Sequence, residues 1–171
     1  MRIKLIASDI DGVWTDGSFI YSREGDSFRS FTTRDSYGVK LCQLLELPIL
    51  ILSTEINPMV ENRMTKLKIK YVKLGIKNKL RALTSFCKSH GIELSEVAYI
   101  GDDMNDYSLI EKVGYFVCPA DAYYIIREEA NLVLDTKGGK GAFREFVEVV
   151  LKNEGRLEEA YSKYLAECVT K

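Results

Sequence analysis

Asp9 and Asp11 stand one residue apart at the end of an apolar run, in the stretch IKLIASDIDGVWTDG, with Thr15 and Asp16 close behind. A carboxylate taken out of water without a partner is costly. The pair therefore either decorates a solvated turn or holds a cation. Chemistry-bearing residues recur after three later apolar runs. Ser53, Thr54 and Glu55 follow LPILIL, Lys77 and Lys79 follow KYVKLG, and Asp102 and Asp103, with Asn105 and Asp106 behind them, follow VAYIG. These types suit phosphoryl transfer. A phosphate monoester needs a nucleophile, a proton for the departing oxygen and positive charge against its equatorial oxygens. A divalent cation removes the repulsion between a carboxylate and the phosphate dianion. Mg²⁺ usually takes one or two carboxylates, with water and phosphate oxygens completing an octahedron. Asp9 and Asp102 suit the carboxylate positions, with the Asp11 carbonyl as a third ligand. Lys79 offers a fixed positive charge and Ser53 a hydroxyl donor to phosphate. Asp11 is placed to give a proton to the leaving alkoxide and later to take one from water.

These groups act together only if the fold delivers them to one edge. Short apolar runs alternate with amphipathic segments. Strands are expected at Ile3–Ala7, PILILS, KYVKLG, VAYIGDD, YFVCP and NLVL. Tyr37, Leu41, Leu44 and Leu45 recur at helical spacing behind Asp35 and Ser36, which suit a cap. Asn57-Pro58 opens a second helix, with Val60, Met64 and Leu67 inward. Leu80, Leu83 and Cys87 line a third, ending at Gly91. A fourth is expected from about Asn105 to Val113, stopped by Gly114, and a short one at Tyr123–Glu129. Phe143, Phe146, Val147, Val150 and Leu151 make the cleanest helical stripe. The alternation predicts an α/β fold with a doubly wound, mostly parallel sheet and helices on both faces. Sites in such sheets lie outside the carboxyl ends of the strands. One domain over residues 1–171 is expected. The segment at about 17–31, GSFIYSREGDSFRSF, reads as a β-hairpin turning at Gly25, inserted directly after the aspartate pair. The stretch at about 155–169 reads as a tail helix.

Composition excludes several classes. The 171 residues suffice for one sizeable core. A net charge of −1 points to neither nucleic acid nor membrane as partner. LPILIL falls far short of the roughly 20 residues of a membrane span, and the run after Met1-Arg2-Ile3 is too short for a signal peptide. Cys42, Cys87, Cys118 and Cys168 form no C-x-x-C pair, so a cytoplasmic setting is expected. With His90 the single histidine, most Ser-His, Cys-His and His-rich metal chemistry is removed.

In chain order, D-x-D-G-V-x-T-D, the strand-ending Ser53, Lys79 and G-D-D-x-x-D resemble the haloacid dehalogenase superfamily of phosphatases over nearly the whole chain. The resemblance implies a Rossmann-like fold with Asp9 as the nucleophile that becomes an aspartyl-phosphate. It further implies Asp11 as acid/base, Ser53 and Lys79 on the phosphoryl group, Mg²⁺ held by Asp9, Asp11 and Asp102, and Asp103 and Asp106 as supporting acids. DIDGVWTDG, TTRDSYGV, YIGDDMND and KGGKGAFREF are similar to the capless branch that acts on sugar-acid phosphates. There the hairpin stands in place of a cap, and tetramers close the site with neighbouring subunits. Thr33, Glu55 and Lys66 are then implied as substrate contacts. Enzymes acting on 3-deoxy-octulosonate (KDO) 8-phosphate usually read T-G-R where this chain reads Ser53-Thr54-Glu55. A glutamate repels a substrate carboxylate that an arginine would pair with. The expected substrate is therefore a nonulosonate 9-phosphate such as KDN 9-phosphate, with KDO 8-phosphate as the alternative. The substrate carboxylate then needs another cation, Arg63 or Lys66, and the resemblance favours Lys66.

Plainer readings stand beside these. D-x-D-G alone makes a turn. Ser53 could cap a helix, although Asn57 is the better cap. Glu55 and the Arg63, Lys66, Lys68, Lys70 group suit a solvated face, and His90 suits a helix C-terminus. A signalling receiver domain also uses aspartates, Lys and Mg²⁺, but takes its phosphoryl group on a later strand. A non-catalytic phosphatase-like assembly domain associated with sialic-acid activation is the alternative of another class. Hairpin apolar groups Phe19, Ile20, Tyr21, Phe28 and Phe31, and the tail residues Tyr161, Tyr164 and Leu165, are expected at the interfaces of a homo-tetramer.

Overall fold

Strand runs such as LIAS, ILIL and VAYI are buried at every position, the pattern of a parallel sheet covered on both faces. The computed structural model describes residues 2–169; Met1, Thr170 and Lys171, the ends of the expected domain, lie outside them. The elements are β1 (Leu5–Ser8), β2 (Ile20–Ser22), β3 (Gly25–Phe28), α1 (Asp35–Leu44), β4 (Ile49–Leu52), α2 (Pro58–Lys66), β5 (Tyr71–Lys73), α3 (Lys79–His90), β6 (Val97–Ile100), β7 (Tyr115–Cys118), α4 (Tyr124–Glu129), β8 (Leu132–Val133), α5 (Ala142–Asn153) and α6 (Leu157–Val169). Six strands form a parallel sheet in the order β5-β4-β1-β6-β7-β8. Side chains alternate between two cores. Ile6, Ile49, Ile51, Ile100 and Val117 pack with Trp14, Val39, Met64, Phe143 and Phe146. Leu5, Ala7, Leu50, Leu52, Tyr99 and Phe116 pack with Leu83, Phe86, Cys87 and Ile126. This is the expected doubly wound α/β fold. No helix among the described residues is long and apolar enough to cross a membrane.

Helix ends follow local chemistry. Asn57 caps α2, its side chain accepting the Met59 N–H at 2.8 Å ahead of Pro58. Asn78 caps α3 in the same way through Arg81 N–H, and Gly91 closes it in the left-handed conformation. The expected cap of α1 is not formed. Asp35 and Ser36 lie inside the helix, and Arg34 occupies the cap without a side-chain bond. Asp35 instead turns inward and accepts the backbone N–H of Arg144 at 3.1 Å. Tyr37 is exposed rather than inward and leans on Tyr164.

The helix expected from about Asn105 to Val113 is instead a run of turns with one 3₁₀ turn, Tyr107–Leu109. Asp106 takes the Asp102 N–H on its carboxylate, and the Asp103 carbonyl accepts the Asp106 N–H. Such side-chain bonds compete with a helical ladder. The hairpin turns at Arg23 and Glu24 rather than at Gly25, which opens β3 opposite Ser22; the Ser22 hydroxyl accepts the Glu24 N–H and tightens the turn. Phe31 packs on the core, whereas Phe19, Ile20, Tyr21 and Phe28 remain exposed. The tail helix α6 spends its tyrosines within the chain: Tyr161 donates to Glu148 at 2.9 Å and Tyr164 to Tyr37 at 3.0 Å. Leu165 stays exposed.

Burial pushes the Asp35 carboxyl up to about 6, against the opposing pull of the Arg144 N–H and the Arg63 charge. The folded chain thus binds this proton more tightly than the unfolded chain. The stabilisation is complete below the ordinary carboxyl range and is lost as pH rises through about 6. Asp35→Asn keeps the acceptor for Arg144 and removes the charge. Relative to wild type, the variant should gain stability between pH 4 and 7, by roughly 2–3 kcal/mol in total, and level off above that. Urea unfolding across this range checks it; a constant difference would contradict it.

Candidate active site

Strand order reverses at β1, the switch point where open α/β sheets form their crevice. Ser8, the last residue of β1, lies opposite Ile51 of β4 and Ile100 of β6. The residues just beyond these three strands, Asp9, Ser53 and Asp102, are therefore brought to one edge. The loop after Asp9 is tightly held. Val13 and Trp14 N–H groups return to the Ile10 carbonyl. Buried Trp14 donates to the Ser8 hydroxyl at 2.9 Å and stacks on Phe143 at 4.1 Å, while Ser8 donates to the Asp9 carbonyl at 2.6 Å. Gly12, at φ +82°, carries this loop against Asp102; a Cβ there would fall 1.9 Å from Asp102 Oδ2. Gly101 makes the same allowance for Asp106.

Asp9, Asp102 and Asp106 each offer an oxygen within 4.8 Å of the others. Lys79, the first residue of α3, lies fully buried with its Nζ 2.7 Å from Asp9 Oδ2 and 2.7 Å from Asp106 Oδ1. A cation at a helix N-terminus is electrostatically disfavoured, and these two carboxylates offset that cost. Burial alone would lower the Lys79 pKa, but Asp106 and Asp9 outweigh it and raise it. Asp106 is already engaged on both oxygens. Tyr99 donates to Oδ1 at 2.5 Å beside Lys79, and the Asp102 N–H reaches Oδ2 at 3.2 Å. It forms the floor of the cluster, and Asp9 and Asp102 are the carboxylates left to face a cation. Burial and then neighbouring Asp106 push Asp9 up to about 7, against the opposing pull of Lys79. Burial, then Asp9 and Asp106, push Asp102 up to about 8. With all three ionised, as a bound cation favours, three carboxylates against one ammonium leave two negative charges, the complement of a divalent cation, and an all-oxygen donor set suits Mg²⁺.

Asp11 points elsewhere. Its Oδ1 pairs with Nη1 of Arg29 and accepts the Thr15 hydroxyl at 3.2 Å. Arg29 belongs to the hairpin strand's end; its Nε and Nη2 reach Asp26 Oδ2 at 3.1 and 3.0 Å, and its guanidinium lies 3.9 Å from the Phe19 ring centroid. Asn57 also donates to Asp26 Oδ2, at 2.7 Å. The hairpin is thus tied both to the loop after β1 and to the cap of α2. Ser53 is buried; its Oγ accepts the Glu55 N–H at 3.2 Å, leaving the hydroxyl proton to donate. Asp103 is exposed and binds the Met104 N–H. Glu55 and Thr33 are exposed, the latter giving its carbonyl to the Ser36 N–H. Lys66 is exposed in the last turn of α2, roughly 12 Å along the helix from Pro58. The structure therefore brings Asp9, Asp102, Asp106 and Lys79 together and Asp11 alongside. It does not bring Lys66 to them within one chain.

Sequence reasoning missed Arg29, Asp26 and Tyr99. Tyr99 carried a signal: a hydroxyl inside the buried run VAYI needs a partner. Arg29 and Asp26 carried none, since charges in a hairpin read as solvated.

A family model for haloacid dehalogenase-like hydrolases matches residues 53–145. The 3-deoxy-D-manno-octulosonate 8-phosphate phosphatase of Escherichia coli K12 is 34% identical over 159 residues, 93% of this chain and 85% of that protein. The Haemophilus influenzae protein of that name is 35% identical over 155 residues, 91% of this chain and 86% of its own. Among solved structures, the Moraxella catarrhalis phosphatase of that name, in complex with magnesium ion, phosphate ion and KDO, gives a TM-score of 0.89 at 31% identity, covering 95% of this chain and 93% of that one. A probable YrbI family phosphatase from Pseudomonas syringae gives 0.91 at 35% identity, covering 96% and 93%. With the fold, the acidic cluster and these relatives in agreement, the chain belongs to the haloacid dehalogenase-like hydrolase family, in its capless branch of phosphatases.

Proposed function

We propose that the chain is a Mg²⁺-dependent phosphatase that hydrolyses KDO 8-phosphate through an aspartyl-phosphate on Asp9. The observation that carries the chemistry is the cluster of three carboxylates around the single ammonium of Lys79. The substrate rests on the relatives named for that activity. Asp9 and Asp102 would hold the metal, with the peptide between Asp11 and Gly12 running beside Asp102. When bound there, Mg²⁺ offsets the carboxylates and draws phosphate oxygens toward Asp9. Asp9 attacks phosphorus; Ser53 and Lys79 hold the equatorial oxygens. Asp11 gives its proton to the departing sugar oxygen, then takes one from the water that cleaves the acyl phosphate, and Asp9 is regenerated. Asp106 holds Lys79 in place, and Asp103 supports the loop.

Glu55 supports a second reading. Exposed directly beyond β4, it repels a substrate carboxylate and accepts from hydroxyl or N–H groups, which suits a nonulosonate 9-phosphate. In either case Thr33, Glu55 and Lys66 are assigned to the sugar, with Lys66 reaching it from a neighbouring subunit. That assignment goes with a homo-tetramer. The hairpin strands hold only three and four residues and expose Ile20, Tyr21 and Phe28, and an isolated two-stranded hairpin is marginal in water. Packing hairpins together covers this surface and the site. The protein folds as one domain, and its unpaired cysteines fit the reducing cytoplasm.

Four outcomes are expected. Asp9→Asn should lower turnover by more than about a thousandfold, because an amide is a poor nucleophile. Asp11→Asn should slow hydrolysis of sugar phosphates by about 10²–10⁴-fold and of p-nitrophenyl phosphate far less, since only the poorer leaving group needs the proton. Equal losses on both substrates would contradict the acid/base role. Phosphate release across KDO 8-phosphate, KDN 9-phosphate, N-acetylneuraminate 9-phosphate and hexose phosphates should give the highest kcat/KM with KDO 8-phosphate, and Glu55→Arg should widen that preference. Preference for a nine-carbon acid would establish the second reading, and preference for hexose phosphates would overturn both. Light scattering at micromolar concentration should give about 78 kDa, four chains of 19.4 kDa; a fully active monomer would remove the tetramer.

A further inference from the structure

Asp106 accepts more donors than the proposed chemistry uses. Lys79 Nζ and the Tyr99 hydroxyl both reach its Oδ1, at 2.7 and 2.5 Å, and the Asp102 N–H reaches its Oδ2 at 3.2 Å. Two of these donors have a place in the site, since the ammonium serves the phosphoryl group and the Asp102 loop carries a metal ligand. The phenol has none. Tyr99 is fully buried within β6, opposite Ala7 of β1 and Phe116 of β7. Its ring stacks on Phe116, centroids 5.6 Å apart at 26°. A phenylalanine would fill this space without a hydroxyl, and a buried hydroxyl costs free energy unless it is paired. Here its partner is a carboxylate, which makes the stronger kind of hydrogen bond.

The three donors come from α3, from β6 and from the loop after β6, so the Asp106 carboxylate is held against rotation. Lys79 depends on that. An ammonium has three N–H groups. Asp9 and Asp106 take one each at 2.7 Å, which leaves one for a phosphoryl oxygen. The two anchors are not equal through the reaction. As an Asp9 oxygen bonds to phosphorus, the bond from phosphorus to the sugar oxygen breaks and the Asp9 carboxylate gives up its own charge to the acyl phosphate. Its hold on the ammonium then weakens, and Asp106 is the carboxylate that keeps Lys79 in place. Gly101 gives Asp106 the room to approach, since a Cβ there would fall 2.4 Å from the Asp106 Cγ. Room alone does not set an angle. The Tyr99 hydroxyl, carried by a strand in the middle of the sheet, does.

We infer that Tyr99 is a positioning residue for phosphoryl transfer: its hydroxyl fixes Asp106 Oδ1 where that oxygen aims Lys79 at the phosphoryl group. The inference rests on the reading above that Lys79 holds the equatorial oxygens. Tyr99 acts through Asp106 and not on the sugar, so its effect belongs to every phosphate monoester the enzyme hydrolyses and does not depend on the leaving group. In this it differs from Asp11, whose proton matters most when the leaving group is poor.

Tyr99→Phe keeps the ring on Phe116 and removes the hydroxyl alone. Its kcat should fall roughly 10- to 100-fold, by the same factor with KDO 8-phosphate and with p-nitrophenyl phosphate, while KM changes little. Inhibition by orthovanadate, which adopts the five-coordinate shape of a phosphoryl group in transfer, should weaken by a like factor. The Mg²⁺ concentration for half-activation should stay at the wild-type value, because Asp9 and Asp102 are the carboxylates that face the metal. Phe116→Leu loosens the same core and keeps the phenol, so it should lower Tm and leave orthovanadate inhibition unchanged. Wild-type kcat and orthovanadate inhibition in Tyr99→Phe would overturn the inference. So would a loss confined to one of the two substrates, or a rise in half-activating Mg²⁺ that accounts for the loss, which would put the effect on the Asp102 loop. A Tyr99→Phe chain that fails to fold while Phe116→Leu folds would make the phenol a structural anchor, and would overturn the inference as well. Wild-type enzyme that releases phosphate from neither substrate would defeat the phosphatase reading itself, and the Tyr99 assignment with it.

Discussion

A lysine ammonium fully out of water, at the first residue of a helix, is the constraint around which the site is built. Lys79 pays for desolvation and for the unfavourable end of the α3 dipole at once. It is tolerable only because Asp9 and Asp106 each approach to 2.7 Å. Removing one partner of such a buried pair typically costs about 3–5 kcal/mol, since the other charge is stranded. Asp106 is therefore a structural necessity before it is anything else. Its remaining capacity goes to Tyr99 and to the Asp102 backbone, so the same carboxylate that holds Lys79 also shapes the loop that carries Asp102.

That arrangement decides which residues can surround it. For Asp102 and Asp106 to approach the loop after β1 and the end of β6, two backbone positions must lack a Cβ, and Gly12 and Gly101 supply them. For the loop to stay there, something must fix it from below. Trp14 does so, wedged against Phe143 of α5 with its indole N–H spent on Ser8. The apolar stripe of α5 thus contributes to the position of Asp9 through one ring stack. The excess of negative charge that results is favourable only with a cation present, which couples metal binding to the electrostatic ease of the folded site.

Much of this was legible in the sequence because it depends on order and period. Parallel strands read as continuous apolar runs, and the residues after them had to share one edge. Asp9, Ser53, Lys79 and Asp102 were located by that argument without knowledge of any contact. The failures have a common cause. Asp35 looked like a cap, and the stretch from Asn105 looked like a helix, because local propensity was the only signal there. In both places an aspartate side chain is recruited inward instead, Asp35 to the Arg144 N–H and Asp106 to Lys79 and Tyr99. Long-range partners of a carboxylate leave no periodic trace. The hairpin was read correctly as an insertion, but its polar residues looked solvated, because nothing in REGDSFRS distinguishes Arg29 from Arg23.

The contrast between those two arginines shows what the hairpin contributes. Arg23 lies at the turn, exposed. Arg29, six residues later, has lost its water and gained Asp26, Asp11 and Phe19. A guanidinium is among the few cations that withstand this, being weakly hydrated, permanently charged and able to stack. A lysine would have kept the charge without the second edge. With two short strands, the hairpin cannot enclose a sugar as a cap domain would. It does place one planar, two-edged cation against Asp11. The insertion is small, and its buried charges go to contacts with Asp11 and Asp26 while Ile20, Tyr21 and Phe28 stay exposed.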